Sequence, residues 1–415
     1  MYFPITPVDI ELSCQSDAIV NENRDVRWLV SESARPFLVD AQLGIVEQEN
    51  VLRIAKRLRR EMTAQRAALV LEMAQLRIRG RRKFERADAM FFTRRSLEQS
   101  SGEAIADYKA QRFSKCASVA DICCGIGGDL LSLAKRVKTA GVERDSVVAL
   151  MAQANLEVSG LSGVVHQQDF EVFDRESVSA FHFDPSRRNY GRKTVGDLLQ
   201  PALPAILNWV PDGSPVGIKV APATPSHSST PEHAELEWIG DARECKQQMI
   251  WLNSPQQVGG GRTATVVRGD SFYQYRSVMA VEDTSQVIAE EIQDFVFEPH
   301  PTVLASGLID AMAMENGLLR LAHNVAYLTG ARDNPLPLLS RFRVIDVLPM
   351  EVRTTARELE RLGAGPVEFK KRCVSDVYYE AFKRIKTKGS EPLVVLLAPT
   401  ARRNVAIIAK RLVGV

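Results

Sequence analysis

Val119-Ala120-Asp121-Ile122-Cys123-Cys124-Gly125-Ile126-Gly127-Gly128-Asp129 is the stretch that decides how this chain is read. An apolar run carries an acid, and three glycines follow within four positions. Leu130-Leu131-Ser132-Leu133-Ala134-Lys135 then continues with a helical pattern. The order is strand, tight turn, helix. A glycine turn lets a ligand approach the backbone where a side chain would block it, and aims N–H groups of the next helix at that ligand.

Three acids downstream make the turn specific. Glu143 closes the strand pattern Ala140-Gly141-Val142-Glu143-Arg144 and lies 18 residues after Gly125. A carboxylate at the end of a second strand can accept both ribose hydroxyls of a nucleoside. Asp169 ends Val164-Val165-His166-Gln167-Gln168-Asp169, where it can accept from an adenine amino group with Phe170 against the ring. Asp184 ends Ala180-Phe181-His182-Phe183-Asp184 and precedes Pro185-Ser186-Arg187-Arg188. Four acids at strand ends define one edge of a parallel sheet, the edge at which open α/β sheets bind ligands. His182, two positions before Asp184, reads as a packed strand residue.

This constellation resembles the class I S-adenosylmethionine-dependent methyltransferases over residues 113 to about 270. The Cys-Gly-Ile-Gly-Gly form of the turn is similar to that of RNA-modifying members. Met90-Phe91-Phe92-Thr93-Arg94-Arg95 resembles the segment that folds over the cofactor in the cap-trimethylguanosine-synthase type. A bacterial family with a C-terminal THUMP-like domain matches further, through Glu244-Cys245-Lys246-Gln247, Tyr327-Leu328-Thr329-Gly330 and Phe369-Lys370-Lys371-Arg372. The resemblance implies S-adenosyl-L-methionine as cofactor, held by Thr93, Asp121, Cys124, Gly125, Gly127, Gly128, Glu143, Arg144, Asp169 and Phe170. It implies Asp184 and the Pro185 carbonyl as acceptors for the attacking nitrogen. Arg187, Arg188, Lys370, Lys371 and Arg372 become the expected substrate contacts, and RNA (rRNA or tRNA) the expected partner.

The match has departures. Cys123 stands where the family usually has a glycine. Nucleic-acid amino-methyltransferases carry Asp/Asn-Pro-Pro-aromatic, whereas this chain has Asp184-Pro185-Ser186-Arg187; Arg187 could stack on a base instead, with Tyr190 nearby. Asp-Pro-x-Arg also occurs in RNA 5-methyluridine enzymes. Those need a nucleophilic Cys soon after the fifth strand, and none follows Pro215–Pro222 until Cys245. Other readings stay open: a small-molecule or protein methyltransferase, or a non-catalytic RNA-binding homologue. An NAD-dependent oxidoreductase is disfavoured, because Gly-x-Gly-x-x-Gly spacing is lacking.

The fold class expected is α/β, a Rossmann-like seven-stranded methyltransferase core with a helical N-terminal domain and an α+β THUMP-like C-terminal domain. The expected boundaries are 1–112, 113–285, a helical connector at 286–337, and 338–415. Cys245–Trp251 and Arg262–Val267 are expected to form a terminal antiparallel pair. Leu52, Ala55, Leu58, Met62, Leu69, Met73 and Leu76 recur at roughly helical spacing. Phe342–Leu348 and Leu393–Leu397 read as strands, with a helix over 351–362 between them.

Composition bounds the partners. The chain has 415 residues, 45% hydrophobic, and a net charge of only +2, enough for two or three domains. The charge is uneven: residues 51–95 hold 14 Lys/Arg against 4 Asp/Glu, and 338–415 hold 16 against 8. Basic flanks around a more acidic core fit a polyanion, and Arg77–Lys83 and Lys370–Arg372 are the densest runs singled out. No apolar run is long enough for a membrane span and no basic-then-apolar leader pattern opens the chain, so a cytoplasmic location without membrane partners is expected. The six Cys and six His show neither disulfide-scaffold nor metal-ligand spacing, so no metal is expected.

Overall fold

The computed structural model describes residues 24–187, 199–224, 230–255, 260–277, 288–323 and 325–412. Two compact units divide the chain. The first holds 1–220, 224–231 and 250–257; the second holds 221–223, 232–249 and 258–415.

The first unit includes helices α1 (Arg35–Val46), α2 (Val51–Glu61) and α3 (Ala64–Gly80). The periodic stretch from Leu52 to Leu76 is thus divided between two helices. Thr63 breaks it, because its side chain accepts from Arg66 N and caps α3. Ile54 and Leu58 carry the buried face of α2, while Leu52 points to solvent. Two shorter helices follow, α4 (Arg94–Gln99) and α5 (Glu103–Ala110). They lead into β1 (Ser118–Ile122), α6 (Gly128–Ala134), β2 (Lys138–Glu143), α7 (Ser146–Val158), β3 (Val164–Gln167), β4 (Phe181–Phe183), α8 (Leu203–Trp209) and β5 (Val216–Val220).

These five strands lie in the order β5-β4-β1-β2-β3, all parallel. The chain order reverses at β1, whose neighbours are β2 on one side and β4 on the other. In such sheets the crevice at this switch point receives the ligand. β1 and β4 are apolar because both faces of a parallel sheet are covered. Gly217 of β5 is required by packing: a Cβ there would lie 2.5 Å from the Trp251 ring.

In the second unit, β6 (Glu235–Gly240), β7 (Cys245–Leu252, its last three residues in the first unit), β8 (Gly261–Arg268) and β9 (Ser271–Ser277) come first. The antiparallel partner of β8 is β9, and β8 runs parallel to β6. The expected pairing of 245–251 with 262–267 is therefore replaced by a hairpin, closed by Gly269 at φ +58°.

The stretch 286–337 is not a plain helical connector. It supplies β10 (Phe295–Pro299), α9 (Pro301–Ala305), α10 (Ile309–Glu315), β11 (Leu319–Arg320) and β12 (Leu328–Gly330). They are followed by β13 (Leu339–Pro349), α11 (Val352–Arg361), β14 (Ala364–Lys371), α12 (Asp376–Lys383), β15 (Glu391–Pro399) and β16 (Asn404–Leu412). The sheet order is β11-β12-β10-β13-β16-β15-β14, with only β14 and β15 parallel. Leu393, Val395 and Leu397 face one buried cluster with Leu359 and Phe382, while Val394, Leu396 and Ala398 face another with Tyr327 and Phe342. Burial on both faces explains why this strand reads as an unbroken apolar run.

No helix among the described residues is long and apolar enough to cross a membrane, and no described His/Cys/Asp/Glu group could hold a metal ion.

Candidate active site

The glycine turn adopts backbone angles that explain its composition. Gly125 and Gly127 sit at φ +58° and +89°, and Cys123 at φ +59°. A Cβ on Gly125 would meet nothing within 4 Å, so the turn faces open space there. Gly128 is needed for a different reason. A Cβ on it would come 3.1 Å from Ser100 Cβ, so the 93–101 segment lies directly against the start of α6.

Glu143, at the end of β2, accepts from Gly125 N at 3.1 Å and from Asp145 N at 2.9 Å. One carboxylate therefore fixes the glycine turn and the entry to α7. Each of its oxygens keeps a further acceptor position for a ribose hydroxyl. Burial raises its pKa, opposed by these backbone donors. Asp145 caps α7, accepting from Val147 N and Val148 N, and Arg144 is exposed. Asp169 is exposed beyond β3 and caps nothing with its side chain. Phe170 is 8% exposed. Its ring meets Trp209 at 5.4 Å and Phe183 at 6.4 Å, both edgewise. That packing leaves little of the ring to cover an adenine.

Asp121 is fully buried, and its Oδ1 lies 2.7 Å from His182 Nδ1 on the adjacent strand. Burial pushes the Asp121 carboxyl up, against the pull of His182. Asp121 Oδ2 is buried and has no hydrogen-bond partner in the described structure. His182 is the packed strand residue its position implied.

Thr93 caps α4 in a capping box with Ser96. Its hydroxyl is already used by Ser96, 2.7 Å away and 3.1 Å from the Ser96 N–H. Cys123, Cys124 and Cys245 are poor candidates for a nucleophile. Burial raises the Cys123 and Cys124 thiols well above their ordinary range and pushes Cys245 up to about 12.

Three residues that sequence reasoning missed organise this site. Lys219 of β5 donates to Asp184 Oδ2 at 2.7 Å and to the Gln99 carbonyl at 3.3 Å. Burial works against its charge, but Asp184 and Asp129 outweigh it and raise the ammonium above its usual value. Lys109 of α5 is 1% exposed. It pairs with Asp129 at 2.6 Å and donates to Ser101 Oγ at 3.1 Å, and that hydroxyl donates to Asp129 at 2.9 Å. Burial lowers the Lys109 pKa. Despite the same burial, Lys109 and His182 hold the Asp129 carboxyl well below its ordinary range.

Asn155 of α7 is the third. It accepts from Phe91 N at 2.7 Å and donates to Phe91 O at 3.0 Å and to Ile126 O at 2.9 Å. One amide thus ties the 90–93 segment to the glycine turn. Asn155→Ala is expected to cost at least about 2 kcal/mol, since a buried unpaired backbone group costs about 1–3 kcal/mol. The check is the midpoint of chemical denaturation at constant slope; an unchanged midpoint would refute the role.

Comparisons with known proteins agree with this fold. Residues 339–411 match a family model described as THUMP domain-like. An uncharacterized S-adenosylmethionine-dependent methyltransferase of Mycobacterium tuberculosis strain CDC 1551 is 26% identical over 312 residues, 74% of this chain and 84% of the relative. The H37Rv strain has a relative with the same identity and coverage. The crystal structure of a Porphyromonas gingivalis protein assigned as a methyltransferase superposes with TM-score 0.72 at 19% identity, covering 95% of this chain and 98% of that one. The chain is similar in sequence and fold to S-adenosylmethionine-dependent methyltransferases, and its residues 339–411 match a THUMP-like domain.

The residues present fit its cofactor. Open space above Gly125 and the fixed Glu143 carboxylate, with an acceptor position left on each of its oxygens, form the candidate cradle beside the switch point.

The expected substrate contacts fare differently. Arg188 and Tyr190 lie outside the described residues, as does the Arg187 side chain. Lys370 and Arg372 both bind Glu298, at 2.7 and 2.9 Å, and Lys371 pairs with Asp376. The Glu298 side chain is 10% exposed, so two of these three charges serve an internal network. In the 77–83 run, Arg77 is buried. It donates to Met90 O at 2.8 Å, to Gln42 at 3.0 Å and to Ala89 O at 3.1 Å. Lys83 donates to the carbonyls of Leu97, Glu98 and Ser100. Both basic residues are framework. Arg79, Arg82 and Arg86 remain exposed.

Proposed function

We propose that this methyltransferase methylates a nitrogen of an RNA base by direct in-line transfer. The reading rests on Asp184. Its carboxylate stands at the carboxyl end of β4, beside the switch point, with one oxygen fixed by Lys219. When bound, S-adenosylmethionine supplies an electrophilic methyl group on a sulfonium. The chain's task is then orientation and proton acceptance. The free oxygen of Asp184 accepts a hydrogen bond from the incoming amine and aims its lone pair. The Pro185 carbonyl is the second acceptor assigned, and the amine's proton leaves towards Asp184 or solvent. Asp184 is 30% exposed at its side chain, so an acceptor base can reach it. The protonated thiols of Cys123 and Cys124 support direct transfer over a covalent enzyme intermediate. RNA as substrate is supported by the THUMP-like domain and by the exposed arginines of 79–95.

The test is nucleoside mass spectrometry of total RNA from a deletion strain and its complemented parent. Loss of one N-methylated nucleoside, restored by the wild-type chain, is the expected result. An unchanged RNA profile, with transfer to a protein or a small molecule instead, would overturn the RNA reading.

A further inference from the structure

With Lys370 and Arg372 tied to Glu298, the THUMP-like domain needs another place to meet a polyanion. A cavity of about 620 Å³ opens beside the edge strand β14. Its walls include Phe369, Tyr379, Ile385 and Lys388, and its backbone floor includes Gly365 and Gly389. That volume is in the range of small-ligand pockets. The floor is bare backbone by necessity: a Cβ on Gly389 would lie 1.9 Å from Gly363 O, and one on Gly365 would lie 2.7 Å from Gly389 O.

The chain at the rim reads Lys383-Arg384-Ile385-Lys386-Thr387-Lys388, four cations without an acid. All four are exposed. Lys383 pairs with Glu380. No ion pair among the described residues involves Arg384, Lys386 or Lys388, in contrast to Lys370, Lys371 and Arg372. On α12, Val377 and Tyr378 are 81% and 57% exposed, an unusual outlay of apolar surface next to clustered charge.

We propose that this cavity and the Arg384, Lys386 and Lys388 cations hold a single-stranded segment of RNA. The inference rests on the RNA reading above and names a surface for it. Cations without carboxylate partners fit phosphates, and neutralising them releases counterions. Rings in a concave wall fit an unstacked base, which a duplex does not present. An acidic peptide would satisfy the charges and leave the ring-lined wall unused.

The experiment is fluorescence anisotropy of the full chain with labelled oligouridylate over a salt series, with a blunt RNA duplex and polyglutamate as competitors. The triple variant Arg384→Ala/Lys386→Ala/Lys388→Ala should bind oligouridylate about tenfold or more weakly at low salt. Its log K against log salt slope should flatten by about 2, at about 0.7 per phosphate for single strands. Lys388→Glu alone, a change at the rim, should move the slope in the same direction while the thermal midpoint stays at the wild-type value. Wild-type slopes in both variants would overturn the proposal, as would displacement by polyglutamate or duplex as effective as by unlabelled oligouridylate. If the variants behave as expected but no cellular RNA loses a methyl group on deletion, the function reading fails and the binding site stands. If an RNA methyl group is lost but wild type does not bind oligouridylate, the site fails and the function reading stands.

Discussion

Asp184→Ala is expected to lower methyl transfer by about 100-fold or more, the scale on which a positioned proton acceptor contributes. Cofactor affinity should stay within a few-fold, because Asp184 follows β4, on the other side of β1 from Glu143. The geometry adds a condition to this result. Lys219 loses its 2.7 Å partner in the variant, which leaves a largely buried ammonium with only the Gln99 carbonyl. Part of any loss is then the penalty of an unpaired charge. Asp184→Asn separates the two effects, since it keeps an acceptor oxygen for the amine while removing the ion pair. Activity of the Asn variant well above that of Ala, with both binding S-adenosylhomocysteine in calorimetry, is the pattern of an acceptor that touches substrate. Equal loss of cofactor binding and transfer would make Asp184 a framework residue.

Glu143→Ala is expected to weaken S-adenosylhomocysteine binding by about 1–3 kcal/mol, the worth of charge-assisted hydrogen bonds. The expected cost lies toward the upper end. The same carboxylate fixes Gly125 N and Asp145 N, so its removal also loosens the turn that receives the ligand. Glu143→Gln retains one acceptor oxygen and should fall between wild type and Ala. Titration calorimetry with unchanged affinity in the Ala variant would remove Glu143 from the site.

Much of the cradle was legible from strand-end acids and glycine spacing, because both follow local rules. A glycine turn needs φ values that Gly125 and Gly127 supply, and a parallel strand ends where its apolar run ends. Asn155, Lys109 and Lys219 were not legible. Each lies within an ordinary helix or strand pattern, and each acquires its role only when a second element packs on it. Lys219 reads as one polar residue in Val216–Val220, yet strand order brings it to Asp184, 35 residues away in sequence. The basic runs misled for the same reason. Charge density is a property of sequence, but whether a charge is free depends on what lies opposite it. Glu298 is 74 residues from Arg372 and neutralises it, while among the described residues no ion pair involves Arg384, Lys386 or Lys388.

The sequence by itself determined the α/β core, the glycine turn and the strand-end acids, since backbone conformation and two-face burial are written in local residue types. Only the tertiary structure decided which lysines are framework, which acid carries an ammonium and which cations of the THUMP-like domain stay unpaired. Those are questions of distance between residues far apart in the chain, and electrostatic interaction depends on that distance and on burial, neither of which local pattern contains.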